Sequence, residues 1–72
     1  MNPKLRIINH LRDYRIAFDM TQEELAERAG VSRQSIISIE NERSVPNLFH
    51  AIKISEIFYS RVDEIFILRV RS

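Results

Sequence analysis

Apolar residues recur at helical spacing through the middle of the chain and alternate with polar ones near its two ends. Leu11, Tyr14 and Phe18 stand at i, i+3 and i+7, an inward stripe that predicts a first helix from about His10 to Phe18, with Asn9 as its cap. Ile16 lies off that stripe, as a single exposed apolar residue or as part of a contact with another chain. Leu25, Ala26 and Ala29 share a face of a second helix that Thr21 opens. Glu24, three residues on, can reach back to the cap amide. Gly30 stops this helix, because glycine takes the left-handed conformation without a Cβ penalty, and Val31 plugs the turn. Ser32 caps a third helix in which Ile36 and Ile39 point inward while Arg33, Gln34, Ile37, Ser38 and Asn41 point elsewhere.

After the third helix, Pro46 and Asn47 set up a fourth, from about Leu48 to Phe58, with Leu48, Ala51, Ile52, Ser55 and Ile54 turned toward the core. Val62 to Phe66 reads as a short fifth helix with acidic residues in its first turn, where they suit the helix dipole; Val62, Ile65 and Phe66 would close the core. The end segments, about 4–8 and 66–70, alternate. Leu5 and Ile7 oppose Lys4, Arg6 and Ile8 in the first, and Phe66, Leu68 and Val70 oppose Ile67, Arg69 and Arg71 in the second. Two short alternating runs of similar length predict a small antiparallel β-ribbon joining the termini; the alternative is a frayed terminus. The fold class is therefore all-α, five helices with a terminal ribbon, in one domain over residues 1–72.

The stretch TQEELAERAGVSRQSIISIENER, Thr21 to Arg43, is two short helices joined by a tight turn, with polar groups on the leading face of the second. That is what a reader of the DNA major groove requires. Here the chain resembles the helix-turn-helix (21–41) of the phage Cro and repressor family, also called the XRE family, and with flanking helices the resemblance runs from about Asn9 to Phe66. It implies a five-helix, lambda-repressor-like domain that binds duplex DNA as a transcriptional regulator. A few small members, such as the repressor of a bacterial cytolysin operon, are similar in joining their termini in a ribbon and dimerising. Three positions depart from the family: Asp19, Glu42 and Tyr59 stand where glycine is common. At Glu42 the departure raises the expectation of a different turn, such as one more helical residue, which affects where Arg43 sits.

The resemblance turns Arg33 and Gln34 from ordinary surface residues into base readers. Arginine can donate two hydrogen bonds to guanine O6 and N7, and glutamine can pair with adenine N6 and N7. Ser38, four residues beyond Gln34, shares its face. Ile37, at the edge of that face, either touches a thymine methyl or packs at the rim. Gln22, in the first turn of the second helix, is a phosphate candidate, as are Ser32, Asn41 and Arg43, although Ser32 also has its role as a cap. The resemblance further maps Arg15 and Glu40 to a partly buried ion pair linking the first helix to the recognition helix; the plain alternative is two unrelated surface charges. Phe58, Tyr59, Ile67 and Val70 are candidates for a homodimer surface, since so small a protomer cannot bury all of them.

Composition narrows the remaining choices. The 72 residues carry eleven basic and ten acidic groups, a formal charge of +1, so a DNA reading rests on placement and not on totals. There is no cysteine, which removes disulfides, zinc fingers and thiol chemistry. His10 and His50 are isolated, Glu23, Glu24 and Glu27 read as a solvated helix face, and no glycine-rich phosphate loop exists. The expectations are therefore no enzyme activity, no metal, no cofactor and no small-molecule ligand. No apolar run is long enough for a membrane span and the N-terminus lacks a signal-peptide pattern, which makes the cytoplasm the default location. Two rival readings stand beside the DNA-binding repressor. One is an antitoxin or restriction-modification controller with a protein partner; the other is a protein-interaction module that no longer binds DNA.

Overall fold

The computed structural model describes residues 5–70. Lys4 and Arg71, assigned above to the ends of the two strands, lie outside them. In chain order the elements are β1 (Leu5–Asn9), α1 (Leu11–Ala17), α2 (Gln22–Ala29), α3 (Arg33–Glu40), α4 (Leu48–Ile57), α5 (Val62–Ile65) and β2 (Phe66–Val70). The architecture is a five-helix bundle with a two-stranded antiparallel ribbon, and the register is Leu5 with Val70, Arg6 with Arg69, Ile7 with Leu68, Ile8 with Ile67 and Asn9 with Phe66. Asn9 is the last strand residue and still serves the helix after it, since its Oδ1 accepts from the Leu11 amide at 3.0 Å. Its amide Nδ2 donates to the Ile39 carbonyl at 2.7 Å, which ties the ribbon to the end of α3.

The core is built from Leu11, Met20, Leu25, Ala26, Ala29, Ile36, Ile39, Ile54, Phe58 and Ile65, with Tyr14, Val31, Ile57 and Phe66 packed around it. Each buried aliphatic of this size contributes about 1.5–3 kcal/mol relative to an exposed one. The fourth helix corrects two expectations. Leu48 is 73% exposed and Ile52 is 43% exposed; neither belongs to the core. The inner stripe is Ala51, Ile54, Ser55 and Phe58, at i, i+3, i+4 and i+7. Ile52 is one residue off that stripe, so about 100° of helical rotation turns it away, and Leu48 lies a turn before the core begins. The buried Ser55 satisfies its hydroxyl by donating to the Ile52 carbonyl at 2.7 Å. Phe18 lies at the core's margin, edge-on to Phe58 with ring centres 5.0 Å apart.

α1 to α4 all end in the same way. Gly30 has φ 72°, and Asp19, Glu42 and Tyr59 have φ 54°, 61° and 52°. In each case this left-handed residue donates to the carbonyl three residues back, and the residue after it donates to the carbonyl five back: Met20 to Arg15, Val31 to Ala26, Arg43 to Ser38, Ser60 to Ser55. This is the Schellman closure. The turn after α3 therefore keeps a glycine-like geometry with glutamate in it: Glu42 is not an additional helical residue, and Arg43 follows directly with its amide fixed.

Candidate nucleic-acid interface

The turn between α2 and α3 is held by local hydrogen bonds that the sequence encodes. Thr21 and Glu24 form a reciprocal capping box, the Glu24 amide donating to Thr21 Oγ1 at 3.0 Å and the Thr21 amide to Glu24 Oε1 at 2.9 Å. Ser32 Oγ accepts from the Ser35 amide at 3.0 Å. Ile36 and Ile39 are buried, which locks the rotation of α3 and leaves Arg33 and Gln34 exposed in its first turn, with Ile37 and Ser38 half-buried beside them. Arg33 and Gln22 line one open cleft of about 430 Å³, together with Arg15, Thr21 and Glu23. The leading ends of α2 and α3 thus face a common space, where free helix-end amides and the Arg33 guanidinium favour an anion and the Glu23 carboxylate opposes it.

Glu40 organises what lies behind this face. Its side chain is 0% exposed and that of Arg15 14%. Arg15 Nε donates to Glu40 Oε2 at 2.7 Å and Nη2 to Oε1 at 3.3 Å, a bidentate pairing. Arg15 Nη1 also donates to the Met20 carbonyl at 3.0 Å. Burial alone would raise the Glu40 pKa; hydrogen bonds from Arg15, Gln22 and Arg12 and the Arg15 charge outweigh it and hold the carboxyl below its ordinary range. The pair that the family resemblance maps onto α1 and α3 is therefore a physical contact here.

Two members of this network were not read from the sequence in these roles. Gln22 Nε2 donates to Glu40 Oε1 at 3.1 Å, so its amide braces α3 as well as edging the cleft. Arg12 donates from Nε to Glu40 Oε1 at 3.4 Å and from Nη2 to Asn41 Oδ1 at 3.3 Å. The only signal for Arg12 was its place three residues before Arg15 on the same helix face. Asn41 and Arg43 are exposed just past the end of α3, and Ser32 is occupied as a cap.

The candidate association residues separate. Phe58 is 2% exposed and lies inside the protomer against Tyr14 and Phe18; its assignment to a dimer surface is corrected. Tyr59 is 91% exposed. Ile67 and Val70 fall on opposite faces of the ribbon, because side chains alternate along a strand. Val70 shares its face with Leu5, Ile7 and Leu68, all of them exposed. Ile67 is half-buried beside Ile8. Among the described residues no group of three metal-ligating side chains occurs, and no helix is long and apolar enough to cross a membrane.

Comparison with known proteins gives concordant results. The family described as Helix-turn-helix matches residues 11–65. The chain is 46% identical over 59 residues to an uncharacterized HTH-type transcriptional regulator of Methanocaldococcus jannaschii, covering 82% of this chain and 89% of that protein. It is 42% identical over 57 residues to one of Archaeoglobus fulgidus, covering 79% and 80%. In fold it is similar to the crystal structure of the transcriptional regulator VanUg, with TM-score 0.78 over 97% of this chain and 93% of that one at 21% identity.

Proposed function

We propose, from the premise that this chain belongs to the helix-turn-helix family, that it represses transcription as a homodimer seated on a palindromic operator. The chain is a sequence-specific DNA-binding regulator of the HTH type. α3 enters the major groove, Arg33, Gln34 and Ser38 read base edges, and Ile37 packs beside them. Gln22, Ser32, Asn41 and Arg43 meet phosphates on either side and set the register. The observation that carries this reading is the exposed Arg33–Gln34 turn, held against the bundle by Ile36, Ile39 and the buried Glu40.

One protomer spans only a few base pairs. A two-fold pair places two copies of α3 in successive major grooves, about 34–36 Å apart. The uncovered ribbon face of Leu5, Ile7, Leu68 and Val70 supplies the apolar surface for that pairing, and the exposed Tyr59 and the half-buried Ile67 of the opposite face are further candidates for it. Occupying a promoter in this way represses it without further machinery. The test is selection of bound sequences from a random duplex pool at stated salt. Enrichment of an inverted repeat with half-sites one helical turn apart is expected; no enrichment at any salt would overturn the reading.

A second reading has one observation in its favour. Leu48, Phe49 and Ile52 form another exposed apolar surface on α4, with a groove of about 310 Å³ beside Lys53 and Glu56. A controller or antitoxin with a protein partner would use such a surface in addition to the DNA face. Co-purification of a second small protein that is lost on Phe49→Asp would favour it.

A further inference from the structure

Arg6 and Arg69 stand directly opposite each other in the ribbon ladder. Paired residues of an antiparallel ladder project from the same face, and both arginines are exposed. Like charges placed directly opposite weaken a ladder, so folding by itself does not favour this pair. One carboxylate answers it: Glu42 Oε1 lies 3.9 Å from Arg6 Nη1. Among the described residues that carboxylate pairs with Arg6 and none pairs with Arg69, and the long separation leaves even the Arg6 pairing loose.

The same contact marks where the pair sits. Glu42 is in the turn that closes α3, Asn9 of the same ribbon donates to the Ile39 carbonyl, and Arg12 donates to Asn41 just past the helix. Arg6, Arg69, Arg12 and Arg43 are thereby brought around one end of the recognition helix, in a chain whose formal charge is only +1. Cations near a helix C-terminus are ordinarily accounted for by the helix dipole. That covers Arg12 and Arg43, which adjoin the last turn of α3. It does not cover two arginines facing each other on a separate element.

We infer that Arg6 and Arg69 form a phosphate clamp, by which the ribbon holds the DNA backbone flanking the groove that α3 enters. The ligand is the phosphodiester itself, without regard to base. A phosphate between the two guanidiniums takes charge-assisted hydrogen bonds from both and removes their repulsion. The inference rests on the DNA-binding reading above and adds to it a contact from outside the helix-turn-helix.

The test is the salt dependence of affinity, measured by fluorescence anisotropy on the selected operator and on a random duplex. In Arg6→Gln/Arg69→Gln the slope of log K against log[salt] should shrink in magnitude by about 1 per bound protomer, since the one phosphate that each clamp holds contributes about 0.9. Affinity should fall by the same factor on both duplexes, with the preferred sequence unchanged, while Arg6→Lys/Arg69→Lys keeps the slope. The double glutamine variant, relieved of repulsion, should melt at or above the wild-type temperature. If it fails to fold, Arg69→Gln alone, which leaves Arg6 with Glu42 and so removes the same phosphate contact, should also lower the slope by about 1 per bound protomer. An unchanged slope in a variant that melts like the wild type overturns the clamp alone, provided the wild type still selects sequence through Arg33. A wild type that binds no duplex overturns both the clamp and the reading beneath it.

Discussion

Arg15 holds Glu40 in a fork, with Nε to Oε2 at 2.7 Å and Nη2 to Oε1 at 3.3 Å, across the interface of α1 and α3. The contact joins two residues twenty-five apart in sequence and ties the last turn of α3 to α1. Because both groups are largely desolvated, the pair is of more consequence when half of it is removed than its net contribution to stability would indicate.

Glu40→Ala should therefore be severe. It leaves Arg15 a largely buried cation without its carboxylate and strips Gln22 Nε2 and Arg12 Nε of their acceptor. The expected loss is about 3 kcal/mol, a large share of the roughly 4–11 kcal/mol available to a domain of this size. Urea denaturation checks it: the midpoint should fall with the slope preserved. A loss below about 0.5 kcal/mol would reduce the pair to a surface contact of ordinary strength.

The pH dependence follows from the direction of the Glu40 shift. Its folded pKa lies below the ordinary value of 4.5. Its contribution is therefore fully present above about pH 4.5 and is lost as pH falls through the folded pKa. Glu24 is also lowered, by the Thr21 backbone and hydroxyl, so acid destabilisation alone does not single out Glu40. The difference in stability between wild type and Glu40→Gln does: it should be flat from neutrality to about pH 5 and shrink below 4.5. A difference that stays constant into strong acid would contradict the assignment.

The left-handed helix ends predict opposite signs for similar substitutions. Tyr59 takes φ 52° and Gly30 φ 72°. A side chain in this region costs about 1–2 kcal/mol, and glycine gives back about 0.5–1 kcal/mol through its freer unfolded state. Tyr59→Gly should stabilise the protomer by about 0.5–1 kcal/mol, while Gly30→Ala should destabilise it by a similar amount. At Gly30 an added Cβ would meet only Lys53 Nζ at 3.6 Å, an ordinary contact, so the penalty there is conformational. Thermal melts at one fixed protein concentration compare the two; equal signs would refute the account.

Loss of base reading should separate from loss of binding. Arg33→Ala and Gln34→Ala should each reduce discrimination of the selected site by about 1–3 kcal/mol, while affinity for random duplex falls much less. Competition between the two duplexes reads this directly. Variants that retain full discrimination would move specificity away from the first turn of α3.

The exposed ribbon face gives a prediction for association. Leu68→Asp/Val70→Asp places two charges on the proposed two-fold surface, where both residues are exposed in the protomer, at 64% and 72%. Sedimentation should show a monomer at concentrations where the wild type is a dimer, with the helical signal unchanged. If both proteins sediment alike as dimers, the pairing surface is elsewhere, and the α4 face of Leu48 and Phe49 becomes the alternative.

What the sequence by itself determined is local. Caps such as Thr21, Ser32 and Asn47, the stop at Gly30, and the spacing of Leu25, Ala26, Ala29, Ile36 and Ile39 act within a turn or two, so the helices and the orientation of Arg33 and Gln34 were legible from residue order. The alternation at the two ends was legible as a ribbon for the same reason. Only the tertiary structure decided which apolar residues the core accepts: Phe58 goes in, while Leu48 and Ile52 stay out, because a small core has a definite edge and helical period does not say where it falls. It likewise turned Gln22 and Arg12 onto Glu40, and its register set Arg6 opposite Arg69. These are relations between distant parts of the chain, and they depend on how rigid elements dock.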